Sequence, residues 1–253
     1  MAKKLLFLAF FLISCQGIPQ DYSQILVSEV IDGDTIRLSN GRLLRYIGID
    51  TPEVHSKKNG KFVYEPQPFA EEAKEYNRKL VEGKTVRLEF DVEKEDKYER
   101  LLAYCFIGDI FVNAKLIEEG YAVLYTYPPN VKYAEKFRDL QTKARNNKQG
   151  LWGSYETINP EQAFNSIGQI RTVRGKVLST YQSAKCVFLN FGQDYKSDFT
   201  VVIFNNSFSA FREQGVDPVS FYRDKTVEVS GRIREYNGPE IIVRHPSQIE
   251  LVE

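Results

Sequence analysis

The sequence is poor in the side chains that most hydrolytic and redox sites are built from. Its 253 residues hold two histidines, three cysteines, one methionine and one tryptophan. The histidines, His55 and His245, lie far apart, and no Ser-His-Asp or Cys-His motif supports either. A histidine-rich zinc site lacks ligands, no Cys-x-x-Cys pair exists, and no P-loop is present. Net charge is also absent, since 34 basic residues balance 34 acidic ones. Residues 16–167 are slightly acidic and 168–253 slightly basic, so neither part holds nucleic acid by bulk charge. A phosphate must be held by a local cluster, helped by any bound cation. Hydrolytic chemistry therefore points to carboxylates, arginines and a hard cation.

The N-terminus carries a targeting pattern. Lys3 and Lys4 precede the apolar run Leu5–Ile13, which is far short of the ~20 residues a membrane-spanning helix needs. It suits the apolar region of a secretory signal. Leu12-Ile13-Ser14-Cys15 resembles the lipobox of bacterial lipoproteins, which implies cleavage after residue 14 and acylation at Cys15. The expected location is extracytoplasmic, on a membrane through that lipid anchor. The alternative is an ordinary signal peptide that contains a cysteine. Cys105 and Cys186 lie in apolar, strand-like stretches and read as buried thiols rather than a disulfide.

From Ile25 the pattern is β-rich. Ile25–Ile31, Asp34–Leu38 and Leu43–Ile49 read as strands, the last two joined by a hairpin at Asn40-Gly41. Val54–Gln67 reads as a polar loop. Phe69, Ala73, Tyr76 and Leu80 recur at helical spacing, with Pro68 in the first turn and Gly83 closing the element. Lys84–Val92 and Arg100–Ile107 are two more strands. Asn113 reads as the cap of a short helix carrying Leu116 and Ile117. Tyr133, Phe137, Leu140 and Ala144 mark a third helix. The polar stretch 154–167 reads as a linker. Beyond it come five strands (173–179, 186–191, 199–204, 226–234, 241–243), with a helix around Phe208–Gln214 between the third and fourth. That order resembles an OB-fold barrel. The expected organisation is a signal peptide over 1–14, a first domain over 22–153, a linker, and a second, smaller OB-like domain over 168–253.

Candidate chemistry clusters in the first domain. Asp32-Gly33-Asp34-Thr35 sits between two strands, Arg45 lies in the next, and Asp50-Thr51-Pro52-Glu53 follows where that strand ends. Asp96-Lys97-Tyr98-Glu99-Arg100 opens another strand. Two carboxylates and a backbone carbonyl form a partial cage for Ca²⁺, which takes 6–8 oxygens, with waters and a phosphate completing the shell. Arginines offer forked donors to phosphate, and a free carboxylate can activate water. Singly, such residues are more often turn formers or surface ion pairs. One metal-and-phosphate site accounts for all of them.

In their order and spacing these segments, together with Leu101-Leu102-Ala103-Tyr104 and Gly150-Leu151-Trp152, resemble the staphylococcal nuclease (thermonuclease) family from about Ile25 to Trp152. The resemblance implies a β-rich α+β fold, a five-stranded OB-type barrel with three helices. It implies Asp34, Asp50 and the Thr51 carbonyl as calcium ligands, Arg45 and Arg100 as phosphate-binding catalytic arginines, and Glu53 as general base. Lys97, Tyr98, Tyr125 and Tyr127 match positions lining a nucleotide pocket. The implied activity is cleavage of DNA or RNA that leaves 3′-phosphate ends. Glu99 departs from the family, which often has glycine there. A second reading is a nuclease fold kept as a catalytically weak nucleic-acid- or protein-binding module. The OB-like domain implies a single-strand groove with Tyr181, Phe191, Tyr195 and Tyr236 as stacking candidates, or else a barrel that packs on the first domain or binds a protein.

Overall fold

The computed structural model describes residues 21–252. The signal segment and Cys15 lie outside the described residues. Among the described residues no helix is long and apolar enough to cross a membrane.

Residues 25–154 form β1 (Ile25–Asp32), β2 (Thr35–Leu38), β3 (Leu43–Tyr46), β4 (Gly48–Asp50), β5 (His55–Lys58), β6 (Lys61–Tyr64), α1 (Ala70–Val81), β7 (Thr85–Glu95), β8 (Leu101–Ile107), β9 (Ile110–Phe111), α2 (Val112–Glu118), β10 (Val123–Tyr125), α3 (Ala134–Asn146) and α4 (Leu151–Ser154). β1 pairs with β2 and β7, β2 with β3, β7 with β8, and β3 runs parallel to β8. These pairings close a five-stranded ring, the barrel that the resemblance implied. Alternate residues of each strand point inward, so Val27, Ile36, Leu44, Val86 and Ala103 fill its core. α1 buries Ala73, Asn77 and Val81 at helical spacing, with Glu71 and Glu72 in its first turn and Arg78 and Lys79 in its last. Both charge placements suit the helix dipole.

Two expectations in this half need correction. The segment 54–67 is not simply a loop, because β5 and β6 pair across it as a hairpin. Its alternation is hidden because exposed side chains occupy both faces of β6. Asn113 does not cap α2 but lies within it, fully buried. Its amide accepts from the Cys105 backbone N–H at 2.9 Å and donates to the Ile47 carbonyl at 2.9 Å, tying helix to barrel.

The second half contains β11 (Ile170–Lys176), β12 (Ser179–Gln182), β13 (Cys186–Asn190), β14 (Thr200–Phe204), α5 (Phe208–Glu213), α6 (Pro218–Phe221), β15 (Thr226–Arg232), β16 (Arg234–Glu235), β17 (Pro239–Ile242) and β18 (Ile249–Leu251). One sheet has the order β12-β13-β14-β17-β16 and the other β11-β15-β18. The chain passes between sheets at Val177-Leu178 and at Ile233, so bends split what reads as single strands in the sequence. Val177 and Ile233 are themselves buried in the common core with Val187, Leu189, Val201, Ile203, Val229 and Ile241. The expected helix falls between β14 and β15, as the OB-like order requires.

The stretch 154–167 is more than a connector. Its Pro160–Ser166 3₁₀ turn is capped by Asn159 in a reciprocal capping box, and Ala163 is buried in the second core. The halves meet through Val123, Leu151 and Ile170, with Phe69, Trp152 and Tyr155 packed around them. Arg145 of α3 reaches Glu228 of β15 at 2.7 Å and Glu250 of β18 at 3.1 Å. Cys105 and Cys186 are both free and buried, as expected.

Candidate active site

A tight turn at Gly33-Asp34 reverses β1 into β2 and sets Asp34 beneath the end of β4. Gly33 is required there, since a Cβ would lie 2.7 Å from the Thr51 hydroxyl. The buried Asp34 carboxylate accepts from the Thr51 backbone N–H at 3.0 Å and from the Thr35 hydroxyl at 3.1 Å. Arg45 of β3 bridges the two acidic stretches, pairing with Asp34 and with Asp50 at 2.9 Å. Residues far apart in sequence thus share one guanidinium.

These groups open onto a cleft of about 850 Å³. Arg45, Asp50, Glu53, Lys97, Tyr98, Arg100, Tyr125 and Tyr127 line it, while Asp34 and Thr51 are buried behind that lining, Asp34 paired with Arg45 and the Thr51 carbonyl accepting from Arg232. All ten residues singled out in the sequence are therefore gathered in one place. Arg100 is held by Asp96 at 2.7 Å and lines the cleft just before β8, the strand that pairs with β3 at Arg45. Lys97 lies over the Tyr98 ring at 5.0 Å, and that ring is largely exposed.

Glu53 stands close to Asp32 and Asp50. Burial pushes its carboxyl up to about 7, and the two neighbouring carboxylates add to the rise, against the pull of Arg232 and Arg45. Burial also raises Asp32, its hydrogen-bond partner. A carboxyl with such a value exchanges protons readily near neutrality, which suits a general base.

One residue at this site was missed. Arg232, at the end of β15, reaches across from the second half. Its Nη2 lies 3.1 Å from Asp50 Oδ2, 2.9 Å from the Thr51 carbonyl and 3.4 Å from Glu53 Oε1. Its Nη1 donates to Gln67 Oε1 at 2.8 Å and to the Gly168 carbonyl at 3.0 Å. Nothing around Arg232 in the sequence marks it. The only signal is indirect: Asp32, Asp34, Asp50 and Glu53 outnumber the single Arg45 among them.

The oxygens of Asp50 and Thr51 thus already converge on one positive centre, with the Asp34 carboxylate directly behind. Carboxylate and carbonyl oxygens are the hard donors that Ca²⁺ takes at 2.3–2.6 Å, so the residues fit such an ion. They fit it as a partial shell, for among the described residues no three His, Cys, Asp or Glu side chains form a ready metal cluster.

Two features clarify the surroundings. Glu99, where the family often has glycine, has φ 62°, the left-handed region that glycine enters freely. It lies in a turn closed by its N–H to the Asp96 carbonyl at 3.0 Å, and its side chain is exposed. His245 is structural: buried, it caps a 3₁₀ turn by accepting from the Ser247 N–H at 3.2 Å.

Fold and cleft together define a class: a closed five-stranded barrel whose rim carries arginines and carboxylates around an open cleft. The profile described as staphylococcal nuclease homologue matches residues 43–154. The thermonuclease of Staphylococcus intermedius is 40% identical over 130 residues, covering 50% of this chain and 74% of that protein. Endonuclease YncB of Bacillus subtilis is 40% identical over 133 residues, or 51% of this chain and 61% of that protein. The SPbeta prophage-derived endonuclease YokF of the same organism is 35% identical over 165 residues, covering 63% of this chain. The chain belongs to the staphylococcal nuclease family. It spans only 54% of YokF and 61% of YncB.

Proposed function

We propose that the chain is a calcium-dependent nuclease that hydrolyses phosphodiester bonds of DNA or RNA, favours single strands, and leaves 3′-phosphate ends. We infer as well that it works outside the cytoplasm, tethered by lipid at Cys15. The observation that carries the catalytic reading is the convergence of Arg45, Arg100 and Glu53 with the Asp34, Asp50 and Thr51 oxygens on one cleft.

Asp34, Asp50 and the Thr51 carbonyl would hold a calcium ion, which when bound would supply polarisation of a phosphate oxygen. Glu53 accepts the proton of the attacking water, a role its raised carboxyl value suits. Arg45 and Arg100, both lining the cleft from neighbouring strands, present N–H groups to the equatorial oxygens as negative charge builds on them. Tyr125 and Tyr127 offer ring faces for a base, and Lys97 and Tyr98 flank the entrance.

The test is cleavage of single-stranded DNA with Ca²⁺ and with excess chelator. Arg100→Ala should keep its fold, because Arg100 is partly exposed and paired only with Asp96. It should lose about 10²–10³ in rate, the usual cost of removing a charge-stabilising donor. Full activity in that variant, or in chelator, refutes the mechanism. Strand binding without any product in either condition favours the binding-module reading.

A further inference from the structure

The catalytic cleft does not end at the first barrel. Arg232, Arg234 and Arg244 of the second barrel form its far wall. Arg232 is committed to carboxylates, but Arg234 and Arg244 have no ion-pair partner within 4 Å among the described residues. Arg244 lies over the Tyr127 ring at 4.2 Å and near Phe204 at 5.8 Å, and its Nε is buried with no hydrogen-bond acceptor. A buried guanidinium donor without an acceptor is costly.

Beyond that wall lies the open face of the five-stranded sheet, next to the cleft at Arg234. Arg234 pairs in register with Glu240, Glu240 with Thr200, and Thr200 with Asn190. These last three line a second pocket of about 470 Å³ together with Tyr181, Phe188, Tyr195 and Tyr236. Tyr181 and Phe188 are cross-strand partners with rings nearly parallel at 6.2 Å. Tyr181, Tyr195 and Tyr236 are 62%, 60% and 79% exposed, an unusual investment of aromatic surface in water. Phe191, expected among them, is instead buried in the core, and Phe188 takes its place because inward and outward residues alternate along β13.

We propose that this face is a second binding site for single-stranded nucleic acid, adjoining the catalytic cleft where Arg234 pairs in register with Glu240, with Arg234 and Arg244 between the two. Bases stack on Tyr181, Tyr195 and Tyr236. Asn190, Thr200 and Glu240 meet base edges, a carboxylate accepting from exocyclic amines. The two unpaired arginines take the phosphates between the sites. The neighbouring cleft, the exposed aromatic rings and two guanidinium groups without an ion pair within 4 Å among the described residues favour a nucleic-acid strand over a protein partner. The proposal rests on the cleft being a nucleic-acid site, as argued above.

The test compares binding of oligodeoxycytidylates of about three and about fifteen nucleotides, lengths below and within the span of OB-type sites, to the full chain in excess chelator. The long strand should bind at least about tenfold tighter, since each stacked base contributes appreciably. Tyr181→Ala/Tyr236→Ala should reduce that advantage to under about threefold, and Tyr181→Phe/Tyr236→Phe should restore it. Arg234→Ala/Arg244→Ala should lower the slope of log affinity against log salt by about 1.4, or 0.7 per phosphate contact. No length advantage in the unaltered protein, or one untouched by the alanine variants, overturns the proposal. So does capture of a protein at this face in place of the long strand. A parallel cleavage assay with Ca²⁺ separates the two readings: absent cleavage with a persisting length advantage sinks the nuclease reading alone.

Discussion

Arg232 holds Asp50 Oδ2 at 3.1 Å and the Thr51 carbonyl at 2.9 Å from a strand of the second half. Asp34, Arg45, Asp50, Glu53 and Arg100 were legible because hairpin turns and strand ends place them in fixed order along one barrel. Arg232 was not, because a strand of the other half delivers it. Its positive charge competes with any cation for Asp50 and Thr51. Two like charges about 4 Å apart, at an effective dielectric near 20, repel by about 4 kcal/mol. Even part of that predicts that Arg232→Ala binds Ca²⁺ at least about tenfold tighter, measured by equilibrium dialysis. Unchanged or weaker uptake would show that the guanidinium and the ion do not share those oxygens. At Glu99 the left-handed backbone costs a side-chain-bearing residue roughly 1–2 kcal/mol, partly offset by the chain entropy of glycine. Glu99→Gly is therefore expected to stabilise the fold by about 1 kcal/mol and raise Tm by roughly 2–4 °C, read by calorimetric unfolding.

At the scale of elements, periodicity identified most of both barrels and failed where the chain bends or pairs locally. β5 and β6 pair only with each other and expose both faces, so they carry no apolar alternation. The 160–166 turn was hidden by its polar composition, although its capping box and buried Ala163 fix it firmly. The 3₁₀ turn at His245 supplies a pH prediction. Burial holds the imidazole below its ordinary value, and Nδ1 accepts from the Ser247 N–H. The unfolded chain therefore binds more protons than the folded one around and below pH 6.5, so stability rises with pH there and is lost as pH falls. His245→Asn, a short side chain that keeps an acceptor for the turn, should flatten that part of the stability-against-pH curve. An unchanged slope would place the titration elsewhere.

At the scale of the whole molecule, a net charge of zero conceals a local arrangement. Asp50 and Glu53 line the cleft beside Arg45 and Arg232, and Glu93, Glu95 and Asp96 share its remaining walls with Arg100, Arg234 and Arg244. The second half is joined to the first by Arg145 between Glu228 and Glu250, by Arg232, and by the Val123–Leu151–Ile170 contact. Arg145→Ala leaves two partly buried carboxylates facing each other and should cost about 2–3 kcal/mol, somewhat less than a fully buried pair, measured by denaturant unfolding. Localisation belongs to this scale too. Cys15→Ala should release the protein from the membrane fraction, because the apolar run alone is too short to span. Retention in that fraction would argue against a lipid anchor at this residue. The central claim is most directly tested by calorimetric titration of Ca²⁺ in the presence of a short nucleotide, on the natural chain and on Asp50→Asn. Binding of a single ion by the natural chain, with none by the variant over the same concentrations, is the expected result. Equal uptake by both, or none by either, would contradict it.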